Sequence, residues 1–532
     1  MTTIAPYRSP QQAGRDGFWQ LVHAEWTKFR TLRGWIIAVI FGVVLIDALG
    51  LFLVNAGLTK CNGAASAACL PVVPTGPGGQ AVLDSFYFVR QPLAGDGTMT
   101  VRVTSLTGRY ETAFGPASGI GPGGGPAKGV QPWSKAGIII EQSTRQGSAY
   151  AAMMVTGQHG VRMQYNYTGD IAGLAGAVSG QSPRWLRLVR SGNMITGSDS
   201  ADGRHWETIG TATLAGLPRT VEVGLFAASP MYFQGNFPSY AQSGGSASPS
   251  EATGVFNNVS LQGGLPGKDW TGQLVGGSAR LESLPHIGFK QAGGRFSVTG
   301  AGDIAPVVGG GVNTNYDTGT IADHLVAVIF GLILLVVIGT MFVTTEYRRG
   351  MIRLTLAASP RRGRVLAAKA VVVGIVGFVL GLPAAALAVV VGARISRSHG
   401  VYVLPVSWAS EVQVIVGTAV LLALAAIIAV AVGTIVRRSV MAVATVIVIF
   451  VLPYILGDTS VVPAGVSEWM FRVTPVAGFA AQQSLPQYPQ VVGQYGPPQY
   501  FPLAPWAGLA VLCAYAALAL TVAYVLLRRR DA

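Results

Sequence analysis

Six runs of this chain, at 35–54, 321–343, 365–393, 412–436, 440–456 and 505–527, are long and apolar enough to be read as membrane spans. About 20 such residues make a helix about 30 Å long, the thickness of a bilayer's hydrocarbon core. In lipid a backbone must satisfy its own hydrogen bonds, so each run is expected to be helical. Charged residues make up 11% of the sequence, less than half the roughly 25% usual in soluble domains. The deficit is uneven, because residues 60–320 are polar and rich in glycine. The expected fold class is an α-helical membrane protein with six transmembrane helices. A large all-β, jelly-roll-like sandwich is inserted between helices 1 and 2.

Between the second and third runs lies TTEYRRGMIRLTLAASPRRGRVLAAK, residues 344–369. It carries the cations Arg348, Arg349, Arg353, Arg361, Arg362, Arg364 and Lys369 against one anion, Glu346. Met351, Ile352, Leu354 and Leu356 form an apolar set among them. Ser359-Pro360 reads as a helix start, with Ser359 as N-cap and Pro360 at the first helical position. The stretch therefore predicts a short helix, a turn and a second helix that enters the membrane. The plainer reading is a basic loop that only marks the cytoplasmic side. A docking surface for a soluble partner needs a small shaped helix at the tip of two spans as well.

Residues 1–16 are polar and expected to be disordered. In 17–34, Phe18, Leu21, Val22, Trp26, Phe29 and Leu32 recur at helical spacing, with His23, Lys28, Arg30 and Arg33 on much of the remainder and Asp16 placed to cap. This is the pattern of an amphipathic helix lying in the membrane interface, or of one packed on protein. The span at 35–54 does not read as a cleaved signal peptide, since a long structured region precedes it and no small-residue cleavage site follows. Asp47 would cost about 2.5–3.5 kcal/mol at the centre of that span facing lipid, so it is expected to face the bundle or water. A functional and a purely hydrogen-bonding role are both open for it.

The insertion repeats short β-rich runs between glycine-rich turns, among them TMTVRVTSL, KAGIIIEQS, AYAAMMVT, RWLRLVR, RTVEVGLFAAS and GVFNNVSLQ. That rhythm predicts an antiparallel sandwich over 60–262, followed by a separate membrane-proximal β segment at 263–320. Ser200, Asp202 and Gly203, followed by Trp206, read as a tight hairpin turn. Cys61 and Cys69 flank a short loop and would pair as a disulfide if the insertion lies outside the cell. The motifs WSKAGI at 133–138, PRWLRLVRSGNMITGSDSADGRHWETIG and VEVGLFAAS resemble the concanavalin-like or laminin-G-like sandwich family over roughly 82–262. The resemblance implies a cell-surface glycan as a ligand, with Tyr165, Tyr167, Trp185, Trp206 and Tyr232 as stacking candidates. Read as residues alone, the same aromatics are better accounted for as core or cross-strand pairs. Asp199 and Asp202 sit in the hairpin, which argues against a glycosidase pair.

Orientation follows from cations. The proposed cytoplasmic segments hold Arg8, Arg15, Lys28, Arg30 and Arg33, the basic stretch, Arg437, Arg438 and the terminal Arg528, Arg529 and Arg530, against Arg394, Arg397 and Arg472 in the short outer segments. Both termini are thus expected in the cytoplasm of a multi-pass plasma-membrane protein, with 60–320 outside and 458–504 as a further outer segment. Gly374, Gly377, Gly381 and Pro383 predict close packing and a bend in the third span.

No phosphate-binding loop is legible. Its nearest candidate, Gly267-Lys268, has Gln262 where the first glycine belongs and Asp269 where a hydroxyl belongs. No catalytic set, metal pattern, cofactor motif or nucleic-acid partner is read. The motifs EWTKFRTLRGW at 25–35 and TTEYRRGMIRLTLAASPRRGRVLAAKAVV resemble the permease subunit of ABC transporters of the type-2 export class. The resemblance implies a coupling loop at 344–364 that docks on a separate ATP-binding subunit, with Glu346, Tyr347, Arg348, Arg353, Leu356, Pro360, Arg361 and Arg362 as coupling residues. It also implies an interfacial helix carrying Trp19, Glu25, Trp26, Lys28 and Arg30, contact with membrane lipids, and a second permease copy or homologous half. The long insertion departs from the family's short first outer loop. A membrane-anchored glycan-binding or sensor protein is the alternative, although a single span would suffice as an anchor. An ion-coupled transporter would need paired broken spans, which are not apparent.

Overall fold

The computed structural model describes residues 17–31, positions 34, 37, 40–42, 44, 48–50 and 52, then 73–112, 126–234, 246–263, 269–277, 284, 286–308, 318–359, 361–458, 462–491 and 500–529. Cys61, Cys69, Asp16, Arg33, Asp47 and Pro360 lie outside these, as does most of 35–54. The positions described between 34 and 52 are helical.

Alternation builds the middle of the chain. The strands are β1 (Val82–Asp84), β2 (Phe86–Ala94), β3 (Gly97–Glu111), β4 (Pro126–Lys128), β5 (Lys135–Glu141), β6 (Tyr150–Thr156), β7 (Val161–Tyr165), β8 (Gly169–Ala172), β9 (Arg184–Ser191), β10 (Met194–Ser200) and β11 (Glu207–Thr213). They continue as β12 (Thr220–Ala228), β13 (Tyr232–Gln234), β14 (Ser246–Ser248), β15 (Ser250–Gln262), β16 (Thr271–Val275), β17 (Gly288–Ala292), β18 (Arg295–Gly300), β19 (Ile304–Pro306), β20 (Thr318–Gly319) and β21 (Tyr402–Val403). Strand β9 buries Leu186 and Leu188 and turns Trp185, Arg187 and Val189 to its other face. One sheet runs β11-β10-β9-β3-β15-β18-β17 with β4 beside β3, and the other runs β16-β2-β12-β5-β6-β7-β8.

The two sheets enclose a core that includes Val101, Val103, Leu186, Leu188 and Phe256 from the first and Val89, Ile138, Ile140, Val223 and Leu225 from the second. A second apolar cluster, with Phe86, Phe88, Ile139, Tyr150, Tyr167 and Ile304, uses the opposite side chains of the seven-stranded sheet. Burial on both faces explains why KAGIIIE and YAAMMVT are buried without alternation. The residues at 271–300 do not form a separate membrane-proximal segment, because β16 pairs with β2, and β18 joins β15 to β17. They extend both sheets by pairing backbone that an edge strand would otherwise leave open.

The helical part comprises α1 (Phe18–Thr31), α2 (Val328–Arg348), α3 (Met351–Ala358), α4 (Arg362–Ser398), α5 (Trp408–Val436), α6 (Ser439–Asp458), α7 (Ala464–Val473) and α8 (Pro505–Arg529). Among the described residues, five helices are long and apolar enough to cross a membrane: α2 with its preceding turn, α4, α5, α6 and α8. Helix α5 packs against α2, α4 and α8. Close approach depends on glycine: a Cβ at Gly377 or Gly381 would sit 3.1 Å from the Cα of Ala423 or Ala419 on α5. Helix α4 runs through Pro383 to Ser398, 37 residues in all. At 1.5 Å per residue it is about 55 Å long, well beyond a hydrocarbon core.

The sandwich is joined to one end of the helices. Strand β20, just before α2, pairs in parallel with β21, just after α4. Ala305 and Val308 pack with Val491 and Tyr500, and Val307 with Leu404. Gln490 Nε2 donates to the Tyr167 carbonyl at 2.8 Å. Since α3 connects the far ends of α2 and α4, it lies at the opposite end of those helices from the sandwich.

Candidate coupling site

Helix α2 extends to Arg348 and stops there because Gly350 takes a left-handed conformation, φ 67°, which only glycine enters freely. Helix α3 then follows for two turns. Ile352 and Leu356 pack with Val365 of α4 and with Tyr347, which fixes the short helix to its neighbours. Its other face carries Met351, Arg353 and Leu354, and Leu354 is 74% exposed. The expected helix start shifts by two residues. Ser359 closes α3, donating its N–H to the Thr355 carbonyl, and Arg361 is the N-cap of α4. The reason is that Ser359 can still complete the α3 hydrogen-bond ladder.

Behind this hairpin lies a group of four charges, three of them buried and one, Lys28, half-exposed. Lys369, only 2% exposed, donates to Glu25 Oε2 and to Glu346 Oε1, both at 2.7 Å. Lys28 donates to Glu25 Oε1 at 2.8 Å and to Glu346 Oε1 at 3.3 Å. The Lys369 ammonium also stands 5.0 Å from the centre of the Phe342 ring, which meets Phe29 edge-on at 5.9 Å. Two carboxylates and two ammoniums cancel, so the group balances its own charge while tying α1 to α2 and α4. Burial pulls the Lys28 ammonium down, but the hydrogen bonds and charges of Glu25 and then Glu346 outweigh it and hold its pKa above the ordinary value. Removing Lys369, the fully buried cation, costs about 3–5 kcal/mol, because buried carboxylate is left without compensation.

Neighbouring contacts extend the node. Arg362 Nη1 donates to the Leu527 carbonyl of α8 at 2.6 Å. Thr344 and Ser439 hydroxyls meet at 2.9 Å, linking α2 to α6. The Arg437 guanidinium lies 5.1 Å from the Tyr347 ring. Helix α1 buries Glu25 and Phe29 against the bundle and exposes Trp19, Trp26 and Arg30. Among the described apolar positions of this helix only Phe29 is buried, Phe18, Leu21 and Val22 are half-buried, and Trp26 is left outside the stripe.

The structure separates the coupling candidates into two kinds. Arg348, Arg353 and Arg361 are exposed, whereas Glu346 is buried within the charge node and Leu356 within the hairpin. Two residues escaped sequence reasoning: Lys369, which looked like one more membrane-flanking cation, and Leu354, whose outward position depends on which α3 face meets Val365. The presence of two glutamates in otherwise basic segments was the available signal for Lys369.

The sandwich aromatics are dispersed. Tyr167 is 1% exposed and its hydroxyl donates to Asp84 Oδ2 at 2.7 Å, so it belongs to the core and is withdrawn as a stacking residue. Tyr165 packs over Gly169, and Trp185 over Gly203 in the β10–β11 turn. The Arg187 guanidinium covers the Trp206 ring at 3.6 Å. Tyr232 packs at a tilt of 35° against Tyr110, centroids 4.0 Å apart. Asp202 accepts from the backbone N–H groups of Arg204 and His205, which hold its carboxyl well below the usual range. It serves the turn. Among the described residues, no three His, Cys, Asp or Glu side chains gather as a metal set.

Residues 140–532 match the family described as ABC-2 family transporter protein. No curated protein matches the chain. Among solved structures, the chain is similar to a functionally unknown protein from Saccharomyces cerevisiae, at 14% identity and TM-score 0.22, over 40% of this chain and 98% of that one. It is also similar to scytalido-glutamic peptidase bound to a transition state analog inhibitor, at 9% identity and TM-score 0.24, over 42% of this chain and 100% of that one. Likenesses this slight bear on neither fold nor activity. The family match spans most of the sequence, including all five long apolar helices, and the chain belongs to the ABC-2 family of transporter proteins, as a membrane permease component of an ABC transporter.

Proposed function

We propose that this permease works as an exporter driven by a separate ATP-binding subunit, which docks on α3 and the exposed arginines beside it. The observation that carries the reading is the arrangement of α3: an exposed Met351–Leu354 face backed by a buried charge node shared by α1, α2 and α4. A partner that closes on ATP and moves α3 displaces a unit held rigid by Ile352, Leu356 and Val365. The Lys369 contacts carry that displacement into α2 and α4 and, through their packing, into α5. The chain contributes positioning and a lever; ATP is hydrolysed elsewhere.

The same reading makes 35–54 a first span, for a total of six, with the sandwich inserted after it. Ile37, Ile40, Phe41, Val44 and Phe52 are all exposed, while Gly42 and Gly50 approach Leu334 and Ala327. An apolar face left outward in this way suits lipid. The cation distribution puts α3 and both termini in the cytoplasm and the sandwich outside the plasma membrane. Helices α6 and α8, which leave large apolar side chains such as Val440 and Leu518 exposed, face lipid and a second permease copy or homologous half.

Leu354→Asp tests this directly. The variant is expected to insert and melt like the parent, yet to lose stoichiometric co-purification with a P-loop subunit and to uncouple ATP hydrolysis from transport. Retained partner capture would refute the α3 assignment. Failure of the parent to capture any such subunit would favour the anchored sensor.

A further inference from the structure

The outward side of the eight-stranded sheet forms a groove of about 1000 Å³ whose chemistry the transporter reading does not use. Register explains its lining. Thr107, Thr253 and Thr299 stand directly opposite one another across β3, β15 and β18, and the Thr253 and Thr299 hydroxyls meet at 2.8 Å. Arg109 lies opposite Lys128 on one side of this hydroxyl row, while Lys290 and His286 flank the other. Among the described residues, none of Arg109, Lys128 and Lys290 has an acidic partner within ion-pair distance, although Arg109 is in register with Glu251. Glu251, the one acid lining the groove, is 8% exposed. The cations suit carboxylates or phosphates, the threonines suit either anions or sugar hydroxyls, and the Glu251 carboxylate accepts hydroxyl donors while repelling bare anionic backbone. Of the aromatic residues along the groove, Phe289 packs against the sandwich core, which leaves the His286 ring alone and makes no base-stacking platform.

We propose that this sheet face binds an extended, hydroxylated polyanion of the acidic-polysaccharide class, through Arg109, Lys128 and Lys290 and the Thr107–Thr253–Thr299 row. Ligand contact is thereby moved away from Tyr165, which lies on the other sheet. The inference rests on sandwich geometry and stands or falls separately from coupling to an ATPase.

The test uses the full chain purified in detergent, with hexagalacturonate as the probe, maltohexaose as its neutral counterpart and an oligo-dT strand as a polyanion of another class. Hexagalacturonate is expected to bind, to weaken as salt is raised, and to lose affinity about tenfold in the Arg109→Gln/Lys290→Gln double variant. Thr253→Val should weaken it by a smaller factor with the charges intact. Arg145→Gln, on a loop of the other sheet, should leave it unchanged. The proposal is overturned if hexagalacturonate does not bind, if maltohexaose or oligo-dT binds as well or better, or if Arg145→Gln weakens binding as much as the double variant does.

Discussion

Each half of the molecule buries a lysine, and the two are used differently. In the sandwich, Lys135 is fully buried and donates to Asp303 Oδ1 at 2.6 Å and to the Ile304 carbonyl at 2.7 Å. Those contacts join β5 to the segment at 303–304, entirely inside the domain. In the helical part, Lys369 is shared between two carboxylates on two different helices, and those carboxylates reach Lys28, whose side chain is 42% exposed. The first lysine closes a structure. The second holds α1, α2 and α4 together, and its carboxylates keep one edge within reach of water through Lys28. The two buried lysines thus differ in whether their partners lie within one domain or on separate helices.

Replacing the two lysines should break that comparison if it is wrong. Lys369→Met and Lys135→Met each strand buried carboxylate, at a cost of about 3–5 kcal/mol. Limited proteolysis of the full chain should then open α1 and the α3 hairpin in the first variant and the sandwich in the second. Identical cleavage patterns would erase the distinction.

A smaller effect concerns pH. Burial pushes the Asp84 carboxyl up to about 6, against which the Tyr167 hydroxyl and the Gly147 N–H donate only partial relief. Because the folded state keeps this proton where the unfolded chain has lost it, Asp84 stabilises the sandwich least above pH 6. Its contribution falls as pH rises from about 4 to 6, by up to about 3 kcal/mol. Asp84→Asn, read by thermal melts across that range, should flatten this part of the profile and gain on the parent as pH rises. An unchanged profile would mean that Asp84 stays charged. The helical part should not share the trend.

The smallest expected effect sharpens the comparison from the solvent side. Lys28→Ala removes the half-exposed member of the node and should cost no more than about 1 kcal/mol, less in high salt. A loss matching that of Lys369→Met would place Lys28 on equal footing with the buried lysine.

Much of this protein is legible in its sequence because it follows from local physics. Runs of apolar residues longer than a soluble core needs declare the helices at 321–343, 365–393, 412–436, 440–456 and 505–527, and alternation declares β9. The Gly374–Gly377–Gly381 set announces a close helix contact. Three things depended on the tertiary structure. Strand β16 joined one sheet through β2, more than 170 residues earlier in the chain, and β18 joined the other through β15; pairing between strands that are not neighbours in sequence leaves no mark on a local pattern. Tyr167 went to the core, since its neighbours Asp84 and Tyr150 are brought to it by the fold. Lys369 became the centre of the charge node rather than a lipid-facing cation, because only packing brings Glu25 and Glu346 within 2.7 Å of one ammonium. Periodicity reports which face a residue occupies on its own element; which charge it meets across a packed interface is decided by how the elements come together.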